Sequence, residues 1–376
     1  MPRNALTRTR RVDRRRLPGA SRSKRGVLDV TVVLMPNGYA STAIAPVEIF
    51  HSAGALWQSL RGDAPQPRFR VRVASIDGGE VPSMCALRLV PELAIADVAH
   101  TDIIVLAASG LDLQQQIARG TTLLPWLRAW HARGAYVAAV CTGVVFLAES
   151  GLLDGRQATT HWAVADDFRR RYPNVLWRPE QFVTEDGRVC CSGGLYASID
   201  LSLYLVEKFC GREVALQCAK SMLVSMPRRS QTGYAVLPLS PPHSDAKIRE
   251  AEAYLQERFD RAVPLEQLAR AISMSPRNLI RRFKAATGRV PGDYVQTLRV
   301  AAARELLERG GNSVQEICSQ VGYEDLTFFR RLFKRHTGVS PAEYRSCFAG
   351  MSFDRDDPEP SGVPARPPTI ARQHRR

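Results

Sequence analysis

A chain of 376 residues with 45% apolar side chains can fill two or three cores of ordinary size, which excludes a single miniature domain and a chain disordered throughout. Its net charge of +15 is unevenly placed. Residues 1–26 carry ten basic side chains against one acid, residues 27–244 balance, and residues 245–346 carry eighteen basic against thirteen acidic. The eight cysteines, at 85, 141, 190, 191, 210, 218, 318 and 347, show no Cys-x-x-Cys or Cys/His ligand spacing, so no metal or other cofactor is expected and a reducing compartment suits them. The first apolar run, residues 30–35 between Asp29 and Pro36, is shorter than the roughly 7–15 residues of a secretory core. The uncharged stretch 134–148 falls short of the about 20 residues that span a bilayer. The expectation is a soluble cytoplasmic protein without a membrane partner.

In chain order, a basic arm over residues 1–26 is expected to be disordered. Strands are then predicted at 30–35, 69–76, 102–107 and 135–140, with helices near 42–57, 121–133, 146–151, 164–171 and 195–210. This alternation is that of a parallel sheet covered by helices on both faces. Runs 30–35 and 103–107 are apolar on both faces, as central strands are. The adjacent Cys190 and Cys191 are expected to pack in the interior.

The sequence Ala139-Val140-Cys141-Thr142-Gly143 follows one of these strands and opens into a helical run. A strand-to-helix turn of small residues lifts its central side chain above the sheet edge, where backbone N–H groups and the helix dipole face it. A thiol so placed should ionise readily, which suits nucleophilic attack or reversible oxidation. Glu48 on the first helix and His161 after Thr159-Thr160 are its candidate partners, and Thr142 joins them as a pocket candidate. The same group admits a catalytic centre, a ligand-binding crevice, or a cysteine kept for structure alone.

Residues 28–30 through Pro46-Val47-Glu48-Ile49-Phe50, the Val140-Cys141-Thr142-Gly143 turn, and Gly151-Leu152-Leu153-Asp154-Gly155 running to Thr159-Thr160-His161-Trp162 together resemble the DJ-1/PfpI superfamily. The resemblance covers about residues 28–210. It implies an α/β flavodoxin-like sheet with Cys141 at a nucleophile elbow, Glu48 hydrogen-bonded near the sulfur, and His161 close by.

Residues 226–243, interrupted by Pro227, Pro238, Pro241 and Pro242, read as a linker between a domain at 27–225 and a helical one at 244–346. The helical part contains a repeat. Leu265, Leu268, Ala269 and Ile272 recur 49 residues later as Val314, Ile317, Cys318 and Val321. Beyond the turn the offset is 50, pairing Leu279 with Phe329, Arg281 with Arg331, Phe283 with Phe333, Lys284 with Lys334, and Tyr294 with Tyr344. Ser275-Pro276, Asp325 and Ser340-Pro341-Ala342-Glu343 supply caps, and Gly288 and Gly338 supply stops.

Two helices joined by a tight turn, the second presenting arginines on its open face, describe a helix-turn-helix in two copies. Arg277, Asn278 and Arg281 in the first copy and Thr327, Arg330 and Arg331 in the second are the candidate base contacts, since arginine reads guanine edges bidentately. Arg282, Lys284, Lys334 and Arg335 are the candidate phosphate contacts. The helical run 292–309 would space the copies for successive major grooves. The tail, residues 347–376, is expected to be disordered.

The runs 275–284, 298–307 and 321–345 resemble the AraC/XylS-type DNA-binding domain, although Ser273-Met274-Ser275 lacks the usual glycine in its turn. In this order the two resemblances are those of the GlxA family of transcriptional regulators. That family implies a small-molecule effector of the nitrogen-containing metabolite class; double-stranded DNA, RNA polymerase and, because regulators of paired sites gain from symmetry, a second copy of the chain are the other expected partners. It also implies activation of transcription in response to that effector. The competing expectations are a cysteine enzyme of isonitrile hydratase or glyoxalase type attached to a DNA-binding domain, and a redox sensor built on Cys141.

Overall fold

The computed structural model describes residues 26–225, 231–235, 240–241 and 243–349. The basic arm up to residue 25, parts of the linker and the tail from residue 350 lie outside the described residues. The chain divides into two compact units, residues 1–236 and 237–376.

The strands of the first unit are β1 (Leu28–Val33), β2 (Phe69–Ser75), β3 (Val81–Pro82), β4 (Arg88–Leu89), β5 (Leu93–Ala94), β6 (Ile103–Leu106), β7 (Tyr136–Val140), β8 (Gln157–Ala158), β9 (Leu176–Trp177), β10 (Val183–Asp186) and β11 (Val189–Ser192). Seven of them form one sheet in the order β10-β11-β7-β6-β1-β2-β5, while β3 pairs with β4 and β8 with β9. Every pair in the large sheet is parallel except β10 with β11. Register sets Val30 opposite Ile103, and Ile104 opposite Val137. Side chains therefore alternate between two cores, with Val33, Ile104, Leu106, Val137, Ala139 and Cys191 in one and Val30, Val32, Ile103, Val105, Ala138 and Cys190 in the other. Both faces are buried, as the unbroken apolar runs require.

The helices of this unit are α1 (Ser41–Ser52), α2 (Leu56–Arg61), α3 (Leu113–Arg119), α4 (Leu123–Ala132), α5 (Val144–Glu149), α6 (Ala165–Arg171), α7 (Ala197–Cys210) and α8 (Arg212–Ser221). Ile49 and Phe50 of α1, Leu201 of α7 and Ala215 of α8 cover one face; Leu127 of α4, Phe146 of α5 and Phe168 of α6 cover the other. The single helix expected over 42–57 is two, because the chain turns at Gly54, where φ is +77° and a Cβ would meet the Gln66 carbonyl oxygen at 2.1 Å. Helix α3 and the antiparallel edge pair had no counterpart in the sequence reading. Residues 231–235 pack on this unit: Gln231 is buried and Tyr234 stacks edge-on against Phe182 with ring centroids 5.7 Å apart.

The second unit contains α9 (Ala246–Gln256), α10 (Leu265–Ala271), α11 (Pro276–Thr287), α12 (Pro291–Arg309), α13 (Val314–Gln320), α14 (Leu326–Thr337) and α15 (Pro341–Phe348). The expected caps form: Ser275 accepts from the Asn278 N–H, Asp325 from those of Thr327 and Phe328, and Ser340 with Glu343 closes a capping box. Gly288 and Gly338 end α11 and α14 in the left-handed conformation.

The repeat is larger than two helix pairs. Ile248, Ala251 and Leu255 of α9 occupy in the first core the places that Val300, Ala303 and Leu307 of α12 occupy in the second, at an offset of 52. The same offset relates Gln256, which donates to the Tyr294 hydroxyl at 2.8 Å, to Glu308, which accepts from the Tyr344 hydroxyl. Helix α12 thus closes the first core with Tyr294 and Leu298 and opens the second with Val300, Ala303 and Leu307. Among the described residues no helix is long and apolar enough to cross a membrane.

Candidate functional sites

The strand-to-helix turn lies at the carboxyl end of the sheet. Cys141 follows β7 directly with φ of +56°, a left-handed conformation that costs a non-glycine residue of the order of 1 kcal/mol. The next two residues hold it there. Gly143 is pressed against β6, for a Cβ would meet the Ala107 carbonyl oxygen at 2.3 Å. The Thr142 hydroxyl donates to the Ser109 carbonyl at 2.7 Å and accepts from its N–H at 3.0 Å. From the far side the Thr160 hydroxyl donates to the Cys141 carbonyl at 2.8 Å. Gln231 fixes Thr160 in turn, donating to its carbonyl at 2.8 Å. Sequence reasoning missed Gln231, which carried no signal beyond being polar in a polar stretch.

A cavity of about 250 Å³ opens above the turn, lined by Asn37, Tyr39, Met84, Ser109, Leu111, Cys141, Thr142, His161, Val164 and Leu195 among others. His161 caps the short turn Trp162–Val164, its Nδ1 accepting from the Ala163 N–H at 3.1 Å. A neutral ring with Nδ1 as acceptor carries its proton on Nε2. Burial lowers the His161 pKa and so favours that neutral form. Its ring packs on Gly194, where a Cβ would come within 2.0 Å of Cδ2.

Two expectations fail here. The Cys141 thiol is not readily ionised: burial raises its pKa, and the opposing N–H groups of Leu195 and Thr142 and the Thr142 hydroxyl are outweighed. Glu48 does not reach the sulfur or line the cavity; it is exposed on α1. The residue of α1 that turns toward the sheet edge is Thr42, whose hydroxyl accepts from the Ala108 N–H at 3.0 Å. Glu48, six residues later, points about 240° further round the helix. Among the described residues, then, Cys141, Thr142 and His161 are brought together without a carboxylate, and the described lining of the cavity holds no Asp, Glu, Lys or Arg.

Asp29, His100 and Asp102 gather at the opposite, amino ends of β1 and β6, with potential ligand atoms within 4.8 Å of one another. Both carboxylates have side-chain neighbours: Arg70 lies 3.3 Å from Asp29 and His100 3.4 Å from Asp102.

In the second unit Arg277, Arg281 and Lys284 of α11 are exposed, as are Thr327, Arg330, Arg331, Lys334 and Arg335 of α14. Asn278 is half-buried and accepts from the Arg281 guanidinium at 2.9 Å, which aligns those two candidates. Arg335 donates to Gln296 of α12 at 3.1 Å. Arg282 departs from expectation. It is turned to the start of α9, where Nε and Nη2 donate to the two carboxylate oxygens of Asp245 at 2.9 and 2.6 Å, so its guanidinium is paired within the unit while the side chain stays 36% exposed. Phe328, 40% exposed where the first copy has Asn278, was not singled out by the sequence.

Arg299 of α12 was also missed. It donates to the carbonyls of Phe259 at 2.6 Å, Gly322 at 2.7 Å and Arg261 at 3.1 Å, with its guanidinium 4.7 Å from the Tyr323 ring centre. It thereby ties loops of both copies to the spacer helix, beside a cavity of about 610 Å³.

With this geometry established, the chain was compared with known proteins. The DJ-1/PfpI family matches residues 40–208, and the helix-turn-helix domain matches residues 268–346. The HTH-type transcriptional regulator CdhR of Pseudomonas aeruginosa is 28% identical over 305 residues, covering 79% of this chain and 87% of that protein. The HTH-type transcriptional regulator ArgR of the same organism is 30% identical over 221 residues, covering 58% and 67%. The HTH-type transcriptional regulator GlxA of Rhizobium meliloti is 26% identical over 337 residues, covering 87% and 98%.

Proposed function

The chain belongs to the HTH-type transcriptional regulators that join a DJ-1/PfpI domain to an AraC-type helix-turn-helix domain, and from that premise we propose that it activates transcription when a small metabolite occupies the Cys141 crevice. The observation that carries the DNA half is the pair of recognition helices, α11 and α14, with exposed arginines on both and one stiff helix between them. Arg277, Asn278, Arg281, Thr327, Arg330 and Arg331 read base edges, and Lys284, Lys334 and Arg335 meet phosphates. RNA polymerase and a second copy of the chain complete the set of partners.

The crevice binds rather than turns over its ligand. A protonated, buried thiol, a neutral imidazole and a described lining without a carboxylate support this reading over a cysteine hydratase or a peroxide sensor, both of which need a thiolate. A ligand can act only by favouring one arrangement of the protein over another. Nitrogen-containing metabolites are the first class to screen.

The test has two arms. Selection of duplexes from a random pool by the full-length chain should enrich one sequence, and Lys334→Ala should weaken selected and random duplexes alike while lowering the salt slope by about 1. A metabolite that raises the melting temperature of the chain should lose that effect in Thr142→Val or His161→Phe. Failure to enrich any sequence overturns the regulator reading. Hydration of an isonitrile abolished by Cys141→Ser would overturn the non-enzymatic one.

A further inference from the structure

The chain enters the second unit already anchored to it. Glu252 of α9 is only 7% exposed, and a buried carboxylate needs partners. Two of them come from the entering segment: Ser240 Oγ donates to Oε1 at 2.6 Å, and His243 Nε2 lies 3.0 Å from Oε2. Two residues beyond His243, Asp245 caps α9 by accepting from the Ile248 N–H at 3.2 Å, and the same carboxylate receives the two-pronged Arg282 pair from α11. Two parallel N–H···O bonds fix direction as well as distance.

This connection is peculiar to the first copy. The counterpart of Arg282 is Leu332, packed in the second core, and the counterpart of Asp245 at the offset that relates α9 to α12 is Thr297, within α12. The residues before Arg282 on the same helix, exposed Arg277 and Arg281 and half-buried Asn278, are base-contact candidates.

We infer that Asp245 and Arg282 are positioning residues for DNA reading: their pair sets the orientation of α11, and the segment anchored on Glu252 makes α11 the recognition helix on which the connector bears. This rests on the reading of α11 as a base-contacting helix. Arg282 then acts through its neighbours and not on a phosphate. The Arg282 guanidinium also holds the Asp245 carboxyl below its ordinary pKa, so the pair stays charged across the neutral range.

The experiment uses the full-length chain, a duplex selected from a random pool by the wild type, and a random duplex of equal length, with affinity measured across a range of salt. Arg282→Lys keeps the charge but not the fork, and Asp245→Asn keeps the helix cap but not the charge. Both should bind the selected duplex about tenfold more weakly and lose base preference only in the half read by α11. Random-duplex affinity and salt slope should stay as in the wild type for Arg282→Lys, and random-duplex affinity should not fall for Asp245→Asn. For Asp245→Asn the loss runs against simple electrostatics, because removing an acid strengthens attraction to phosphate. Helical circular dichroism equal to the wild type separates this from unfolding, and the conservative lysine variant carries the test should Asp245→Asn lose structure. Wild-type behaviour of Arg282→Lys on both duplexes overturns the proposal. So does an Arg282→Ala variant that weakens both duplexes equally and lowers the salt slope by about 1, the mark of a phosphate contact. A pool that enriches nothing would overturn the base-reading role of α11 itself, a distinct outcome that removes this proposal with it.

Discussion

The two helix-turn-helix copies repeat one backbone and fill it differently. At the turn between the paired helices both place a residue in the left-handed region, Ser273 with φ of +56° in the first copy and Gly322 with φ of +84° in the second. The conformation alone does not decide which residue is used. A Cβ on Gly322 would meet the Asp260 carbonyl oxygen at 2.2 Å and Arg299 Nη2 at 2.9 Å, whereas Ser273 is exposed. The second turn is a junction between copies and the first is a free corner. The comparison teaches that a missing glycine marks where the fold has room, and a retained one marks where another segment leans on it.

The largest test of this difference is Gly322→Ala, which should cost about 3 kcal/mol by adding steric conflict to left-handed strain. Urea unfolding followed by helical ellipticity reads it. All five tryptophans, at 57, 126, 130, 162 and 177, lie in the first unit, so their emission reports that unit separately and should not shift. Next come the open faces. Arg281→Ala and Arg331→Ala should each reduce base discrimination by about 1–3 kcal/mol, in different halves of the selected site. Losses in the same half, or equal losses on random duplex, would break the assignment of one copy to each half.

Ser273→Gly should stabilise the second unit by about 1 kcal/mol, since glycine adopts the left-handed region without penalty and nothing crowds the position. A loss of stability would mean that the serine side chain has a role of its own. The smallest effect is one of pH. Burial raises the pKa of Cys318, whose counterpart in the first copy is Ala269. The unfolded thiol loses its proton near about pH 8.5 and the folded one only above that, so over this window the unfolded state binds fewer protons and stability falls as pH rises. Hydrogen exchange in α13 should quicken relative to α10 as pH is raised through that window, once intrinsic rates are subtracted, and Cys318→Ala should remove the difference.

The helix pairs were legible because identical residues recur at fixed offsets, from Lys284 and Lys334 to Tyr294 and Tyr344. The run 292–309 was read as a helix, but its kinship with α9 was not, because α9 and α12 share only the depth of their apolar positions and the loops after them differ in length. In the first unit the backbone of the Cys141 turn could be read from small residues after an apolar strand. Its chemistry could not, since ionisation depends on how deeply neighbouring segments bury the sulfur. Glu48 failed for a related reason: spacing places a carboxylate on a helix, but only packing of Ile49 and Phe50 against the sheet decides which way it faces. Arg282 looked like its neighbours in the sequence, and the acid that claims it lies 37 residues away.

Arg299, with its three carbonyl acceptors, makes the interval between α11 and α14 a property of the protein. A stiff ruler passes any misfit to the other party. If both helices enter grooves as proposed, the double helix must bend or twist to bring both into reach, and base steps that yield easily cost less to deform. Selectivity would thereby extend to the base pairs between the two contacted stretches, and an added base pair there would be rejected for its phase and not for its identity.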